Sequence, residues 1–337
     1  MNARPGLGAV SLFSLALLAA PVWAQVTELP LDIQQKLEML GATWGQSVGP
    51  NIRTTVEVFR PLLEAAPKDG IEPIRDVAYG PHPRHRLDIF RAVPKGEPDA
   101  QRAAVPVVIF VHGGSYVSGD KNAFPAMYGN VGTWFARQGV LALNATYRLA
   151  PQFAWPAAAH DVGAMVAWAR NNAARYGGDP AKIYLVGHSA GATHVASYVF
   201  DKSLQPADGL GVAGAVLISG RYRLVDVDKD PNARNVQAYF GADPAHYAAR
   251  SPMTHIANAK LPVFIVIAEH ENPSLDLRGA ELFVALCARR GACPPFLRLP
   301  RHNHMSEIAA FNTRDEQLGQ AIIAFMGRDR VPAAAAR

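Results

Sequence analysis

From residue 105 onward the chain alternates two kinds of hydrophobic pattern. Short, nearly unbroken apolar runs occur at Val105 to Val111, Val140 to Ala145, Ile183 to Val186, Gly214 to Ile218, Val263 to Ala268 and Pro295 to Leu299. Runs of this length and purity suit strands covered on both faces, as in a parallel sheet. Between them, apolar residues recur every three or four positions, which predicts helices over Met127 to Gln138, Ala157 to Arg175, Ala190 to Asp201, Gly279 to Arg290 and Asp315 to Met326. Two earlier strands are predicted at Ile74 to Tyr79 and Leu87 to Phe90, split by the turn-rich Gly80-Pro81-His82-Pro83, and Pro94 to Arg102 reads as a polar surface loop. Leu31 to about Leu63 reads as one or two helices, with a break at Gly49-Pro50 and an end near Pro61. Repeated strand-then-helix order predicts an α/β fold with a mostly parallel, doubly wound sheet, helices on both faces and a ligand site at the carboxyl ends of the strands. There is no internal repeat and no linker that would divide the domain.

The first residues follow a different logic. Arg4, the apolar run Leu12 to Ala20 and the small-residue site Val22-Trp23-Ala24 have the layout of a secretory signal peptide, and the apolar core is short for a membrane span. An uncleaved anchor is the alternative, and no cysteine near the cleavage point offers a lipid attachment. The expected organisation is a signal peptide at 1–24, an N-terminal helical segment at 25–65 that would act as a cap, and a catalytic domain at 66–330, in an exported, periplasmic or secreted protein. Cys287 and Cys293 flank a probable helix end, where an oxidising compartment permits a disulfide. Two unpaired thiols are the other reading. The formal net charge of +5 is scattered rather than clustered, so no nucleic-acid footprint is present, and an apolar fraction of 49% is ordinary for an α/β domain. No Cys/His set has metal-site spacing.

The chemistry concentrates at Gly187-His188-Ser189-Ala190-Gly191, between a strand pattern and a helix pattern. Glycines on either side of a serine allow a sharp strand-to-helix turn that exposes the hydroxyl, so Ser189 is the candidate nucleophile. The alternative is a serine that only caps the following helix. His112-Gly113-Gly114-Ser115-Tyr116 follows the strand Val105 to Val111 and supplies closely approaching backbone N–H groups. Gly113, Gly114 and Ala190 are therefore the expected oxyanion donors, and His112 is expected to brace the loop. A serine needs an imidazole to take its proton. The histidines near the last strand are His302 and His304, and the acids after the strand Val263 to Ala268 are Glu269, Glu271 and Asp276.

These motifs, together with Tyr147-Arg148-Leu149-Ala150-Pro151, Trp155-Pro156-Ala157-Ala158 with Asp161, Tyr176-Gly177-Gly178-Asp179-Pro180 and Ser219-Gly220-Arg221-Tyr222, resemble the α/β-hydrolase superfamily. The similarity runs from about Tyr79 to Phe325 and is to carboxylesterases related to hormone-sensitive lipase and to bacterial feruloyl and acetyl esterases. It implies an α/β-hydrolase fold and His304 as the base, because the family places its histidine in an Asn-His or Asp-His pair, leaving His302 an exposed loop residue. It also implies Glu271 as the acid, by its spacing from Ala268, with Asp276 the alternative. The implied activity is hydrolysis of short-chain or aromatic esters, small-molecule substrates, through an acyl-enzyme, with no cofactor and no metal. Tyr116, His188 and Tyr222, with Phe153, Trp155 and Tyr239, are candidate pocket walls.

Two departures from the family pattern stand out. Ser115 replaces a third glycine, and His188 stands where an aspartate is usual. With Gly119-Asp120-Lys121, these resemble the kynurenine formamidase and feruloyl esterase branches, and the first makes an arylformamidase or other amide hydrolase the rival activity. A non-catalytic binding protein on a hydrolase scaffold is the third reading.

Overall fold

The computed structural model describes residues 29–93 and 103–327, so the expected signal peptide lies outside the described residues. Eight strands form one sheet: β1 (Ile71–Ala78), β2 (Arg86–Ala92), β3 (Val105–Val111), β4 (Leu141–Ala145), β5 (Gly178–His188), β6 (Gly214–Ile218), β7 (Val263–His270) and β8 (Phe296–Asn303). Their spatial order is β1-β2-β4-β3-β5-β6-β7-β8. β1 and β2 run antiparallel at one edge, and every pairing from β4 to β8 is parallel. The helices are α1 (Leu31–Ala42), α2 (Val48–Ala65), α3 (Pro125–Arg137), α4 (Ala157–Asn172), α5 (Ala190–Phe200), α6 (Ala233–Phe240), α7 (Tyr247–Arg250), α8 (Leu275–Arg290), α9 (Ser306–Ala309) and α10 (Gln317–Phe325).

Successive side chains of a strand point to opposite faces, and β3 shows the result. Val107, Ile109 and Val111 enter a core beneath α4, α5, α6 and α8, whereas Val108 and Phe110 enter a second core beneath α1, α2, α3, α9 and α10. All five are essentially inaccessible to solvent. Two helix layers on one sheet are the architecture expected from the apolar runs. Among the described residues, no helix is long and apolar enough to cross a membrane.

The N-terminal segment departs from expectation in detail. Its two helices are separated at Thr43 to Ser47, not at Gly49-Pro50, which instead lie in the first turn of α2. A proline is tolerated there because first-turn N–H groups have no intrahelical acceptor. Pro61 does not end α2, since Phe59 and Leu63 on either side are buried and hold the helix against the core. α1 lies along β8, and α2 packs on α3 and α9. The helix α6 has no counterpart in the hydrophobic pattern: only Val236, Tyr239 and Phe240 of its eight residues are buried. Cys287 and Cys293 are joined in a disulfide around the end of α8, where Gly291 takes a left-handed conformation.

A buried ion cluster locks the antiparallel edge to the parallel sheet. Lys121 Nζ lies 2.7 Å from Asp76 and 2.8 Å from Asp88, and Arg75 lies 2.7 Å from Asp88, whose side chain is wholly buried. Burial opposes the charge on Lys121, but its two carboxylate partners outweigh that cost and raise its pKa. The lysine of Gly119-Asp120-Lys121 is thus committed to the fold.

Gly132 in α3 tests the packing of that helix on β2, because a Cβ there would overlap the ring of Phe90. Helix propensity alone would favour Gly132→Ala by about 1 kcal/mol, whereas overpacking costs roughly 1–3 kcal/mol. The expected outcome is a lower thermal unfolding midpoint for Gly132→Ala. A raised midpoint would mean that the Phe90 ring yields freely.

Candidate active site

β5 ends at His188 and α5 begins at Ala190, so Ser189 alone makes the turn, with φ 56° and ψ −124°. This conformation is uncommon for a residue with a side chain. It is held by a hydrogen bond from the Ser189 amide to the Ile218 carbonyl, 2.8 Å, and by close packing of α5 against β3. A Cβ at Gly191 would overlap the carbonyl oxygens of Val111 and His112, and one at Gly187 would come within 2.7 Å of the Ala192 backbone. Only glycine allows that approach.

His304 meets the serine from the loop after β8. Its Nε2 is 3.0 Å from Ser189 Oγ, and its Nδ1 is 2.6 Å from Glu271 Oε1. Glu271 lies just past β7 and is almost wholly buried; its Oε1 also accepts from the Asn272 amide at 2.7 Å. The other acids are elsewhere. Asp276 is exposed in the first turn of α8 and accepts from the Leu277 amide, while Glu269 faces Arg298 and the Arg301 amide. His302 is not the exposed loop residue expected. It is buried, with Nε2 2.9 Å from Asp315, just before α10, and Nδ1 3.0 Å from the nearby Ser306 Oγ.

The glycine loop after β3 lies against the elbow. His112 is buried, stacks on Tyr147 with ring centroids 4.5 Å apart, and is held neutral by burial, its pKa lowered to about 4. That agrees with a bracing role. Gly114, at φ 136°, makes a turn in which its carbonyl accepts from both the amide and the hydroxyl of Ser118. Gly113 backs directly onto Ser189, with its missing Cβ position 2.9 Å from the serine Cβ.

A cavity of ≈ 30 Å³ opens beside Ser189 and Ala190. Ser115, Tyr116, Val236 and Leu275 line it, and Arg221, Asn232 and Asn272 make it partly polar. Arg221 is buried and paired with Asp230, and Tyr116 stacks on Tyr239. Of the pocket candidates, Tyr116 therefore lines the cavity. His188 and Tyr222 do not. His188 points beneath the elbow, and Tyr222 turns inward so that its hydroxyl accepts from the Gly220 amide. Trp155 carries Arg250 over its ring, and Phe153 carries Arg148. Arg221, Asn232 and Val236 escaped the sequence reading because they reach the site only through the loop after β6 and the unrecognised α6. The Arg221 position in Ser219-Gly220-Arg221-Tyr222 was the available signal.

The BD-FAE family profile matches residues 96–277. The chain belongs to the BD-FAE family. Among curated relatives, this BD-FAE member is 28% identical to Esterase LipQ of Mycobacterium tuberculosis over 75% of this chain and 61% of that protein. It is 30% identical to Esterase LipC of the same organism over 68% and 59%. The chain thus spans about 60% of the length of these relatives. Among solved structures, Esterase B from Lactobacillus Rhamnosis (HN001) superposes with a TM-score of 0.66 at 16% identity, covering 88% of this chain and 95% of that one. The carboxylesterase EstE1 from a metagenomic library gives 0.64 at 18%, covering 84% and 97%. These superpositions establish the α/β-hydrolase fold for this BD-FAE member.

With Glu271 on His304 and Asp276 in solvent, the two carboxamide variants should separate cleanly. Glu271→Gln is expected to lower kcat for an activated ester by up to about 10⁴-fold, and Asp276→Asn to change it little. Steady-state kinetics of the two purified variants checks this, and the reverse ranking would move the acid to Asp276.

Proposed function

We infer that this chain is a serine carboxylesterase that hydrolyses short-chain or aromatic esters through an acyl-enzyme. The observation that supports this most is the unbroken run from Ser189 Oγ through His304 to the Glu271 carboxylate, on a turn that presents the hydroxyl to a cavity. In this reading His304 Nε2 takes the serine proton as Oγ attacks the ester carbonyl. Glu271 fixes the tautomer with the proton on Nδ1 and stabilises the imidazolium. The amides of Gly113, Gly114 and Ala190 receive the developing oxyanion, where fixed donors favour the transition state over the ground state. His304 then protonates the leaving alcohol, and water repeats the sequence on the acyl-enzyme. The chain itself supplies nucleophile, base and donors, so the steps require no cofactor.

The tight cavity favours a small acyl group or one flat enough to slide between Tyr116 and Val236. The named relatives are esterases and lend nothing to the formamidase or non-catalytic alternatives. Since Lys121 is spent on Asp76 and Asp88, Gly119-Asp120-Lys121 gives no separate support to an amide substrate. The pattern of residues 1–24 supports export, with a mature chain starting near Gln25.

Hydrolysis of p-nitrophenyl acetate, butyrate and octanoate by the wild type, Ser189→Ala and His304→Ala tests the chemistry. The expected result is turnover that falls with chain length in the wild type and drops to near background in both variants. Equal rates in all three proteins would remove the catalytic reading. Export is checked separately by N-terminal sequencing of protein recovered outside the cytoplasm. A start near Gln25 is expected, and full-length protein found only in the cytosol would contradict it.

A further inference from the structure

Directly beneath His304 lies a second acid that the reaction outlined above does not use. Glu307, in α9, has no exposed surface, and neither of its carboxyl oxygens makes a well-formed hydrogen bond. Its Oε1 is 3.3 Å from His188 Nε2. That same Nε2 is 2.9 Å from the main-chain carbonyl of His304, and the two imidazole rings have centroids 4.7 Å apart. On the other side of the His304 peptide, its amide donates to the His270 carbonyl at 3.1 Å. We propose that His188, backed by Glu307, is a positioning residue for His304, its Nε2 holding the His304 main-chain carbonyl from below while Glu271 orients its ring from the side. The inference rests on the serine-hydrolase reading above.

The chemistry of the pair follows from its surroundings. An Nε2 that donates to a carbonyl fixes the His188 tautomer and leaves Nδ1 bare, facing Gly113. Burial pushes Glu307 well above the usual carboxyl range, and the charge of Glu271 pushes the same way. Burial, reinforced by His304, drives His188 well below the usual imidazole range. Both partners are therefore neutral when the enzyme works. The other groups around Glu307 are the Ser219 hydroxyl and Tyr222 after β6, with His302, Asp315 and Glu316 across a cavity of ≈ 10 Å³. A neutral acid suits this place because a second carboxylate beside Glu271 would favour the protonated form of His304, which cannot accept the serine proton. Donor atoms of His188, His304 and Glu307 lie within 4.8 Å of one another, a spacing open to a metal ion. Both His304 nitrogens, however, are already engaged with Ser189 and Glu271.

The test is a kcat and pH-profile comparison of wild type, Ser189→Ala, Glu307→Ala, Glu307→Gln, His188→Ala and His188→Gln, with thermal midpoints as a folding control. Glu307→Ala and His188→Ala are expected to lose roughly tenfold or more in kcat with little change in KM. The glutamine variants, which keep a neutral hydrogen-bonding group, should recover most of that loss. The acid limb of kcat/KM should move by no more than about 0.3 unit in Glu307→Gln, because a neutral group is exchanged for a neutral one. If Glu307 were ionised, the same change would remove an anion near His304 and lower that limb by about a unit or more, which would overturn the proposal. Wild-type kcat in both alanine variants would also overturn it. If the alanine variants fail to fold, the Glu307→Gln profile decides alone. A wild type no more active than Ser189→Ala would instead remove the hydrolase reading on which the proposal stands.

Discussion

The backbone of Ser189 occupies a left-handed region that a residue with a side chain enters only when its surroundings leave no alternative. Those surroundings are carbonyl oxygens of the neighbouring strand, pressed so closely onto the start of α5 that residue 191 has no room for a Cβ. That contact fixes how far α5 advances toward β3. It therefore also fixes the height of the serine hydroxyl above the sheet and the distance from Ala190 to the glycine loop. The parallel register of β3, β5 and β6 sets the scale, with Val111 opposite Gly187 and His188 opposite Ile218.

Around this rigid centre, the glycine loop, Glu271 and His304 come from loops after three different strands, β3, β7 and β8, and polar contacts tie the surrounding loops down. His304 is held through both its amide and its carbonyl, and Asn303 beside it accepts from the amides of Met305 and Ser306. The block Tyr147-Arg148 is fixed by Asp161, which takes the Arg148 guanidinium, the Arg148 amide and His85 Nε2 together. A buried carboxylate with that many donors orders the loop because leaving any of them unpaired would cost more than the bond itself is worth. Precision in the site thus arises from satisfied polar groups set in an apolar frame.

The sheet was legible because its strands are covered on both faces: Val105–Val111 and Gly214–Ile218 appear in the sequence as the same apolar runs that form β3 and β6. The serine and its glycines were legible because a local turn needs local residues. What escaped depends on tertiary contact. Of the eight residues of α6, five are not buried, so no periodicity announces it, yet it delivers Val236 to the cavity. His302 reads as a loop residue until Asp315, thirteen positions away, is folded against it. Glu307 reads as an ordinary charge at a helix start, and its complete burial follows only from the meeting of α9 with the ends of β5 and β6. The choice of Glu271 over Asp276 rested on the family resemblance, and the geometry supplies a physical reason: one carboxylate is enclosed beside the imidazole and the other begins a helix in water.

The helices before β1 lie outside the stretch that the BD-FAE profile matches, as does His304. They nevertheless reach the ends of both strands that deliver the histidine and its acid. Trp44 Nε1 donates to the Asn272 side chain at 3.0 Å, next to Glu271, and Thr55 Oγ1 receives the Asn303 side chain at 3.1 Å, next to His304. The histidine ring of His270 fills the space beside Gly41. A fragment cut at residues 96–277 would keep Ser189 and Glu271 and lose both His304 and the helices that pack beside it. The stretch that the family profile matches is smaller than the unit that brings Ser189, His304 and Glu271 together.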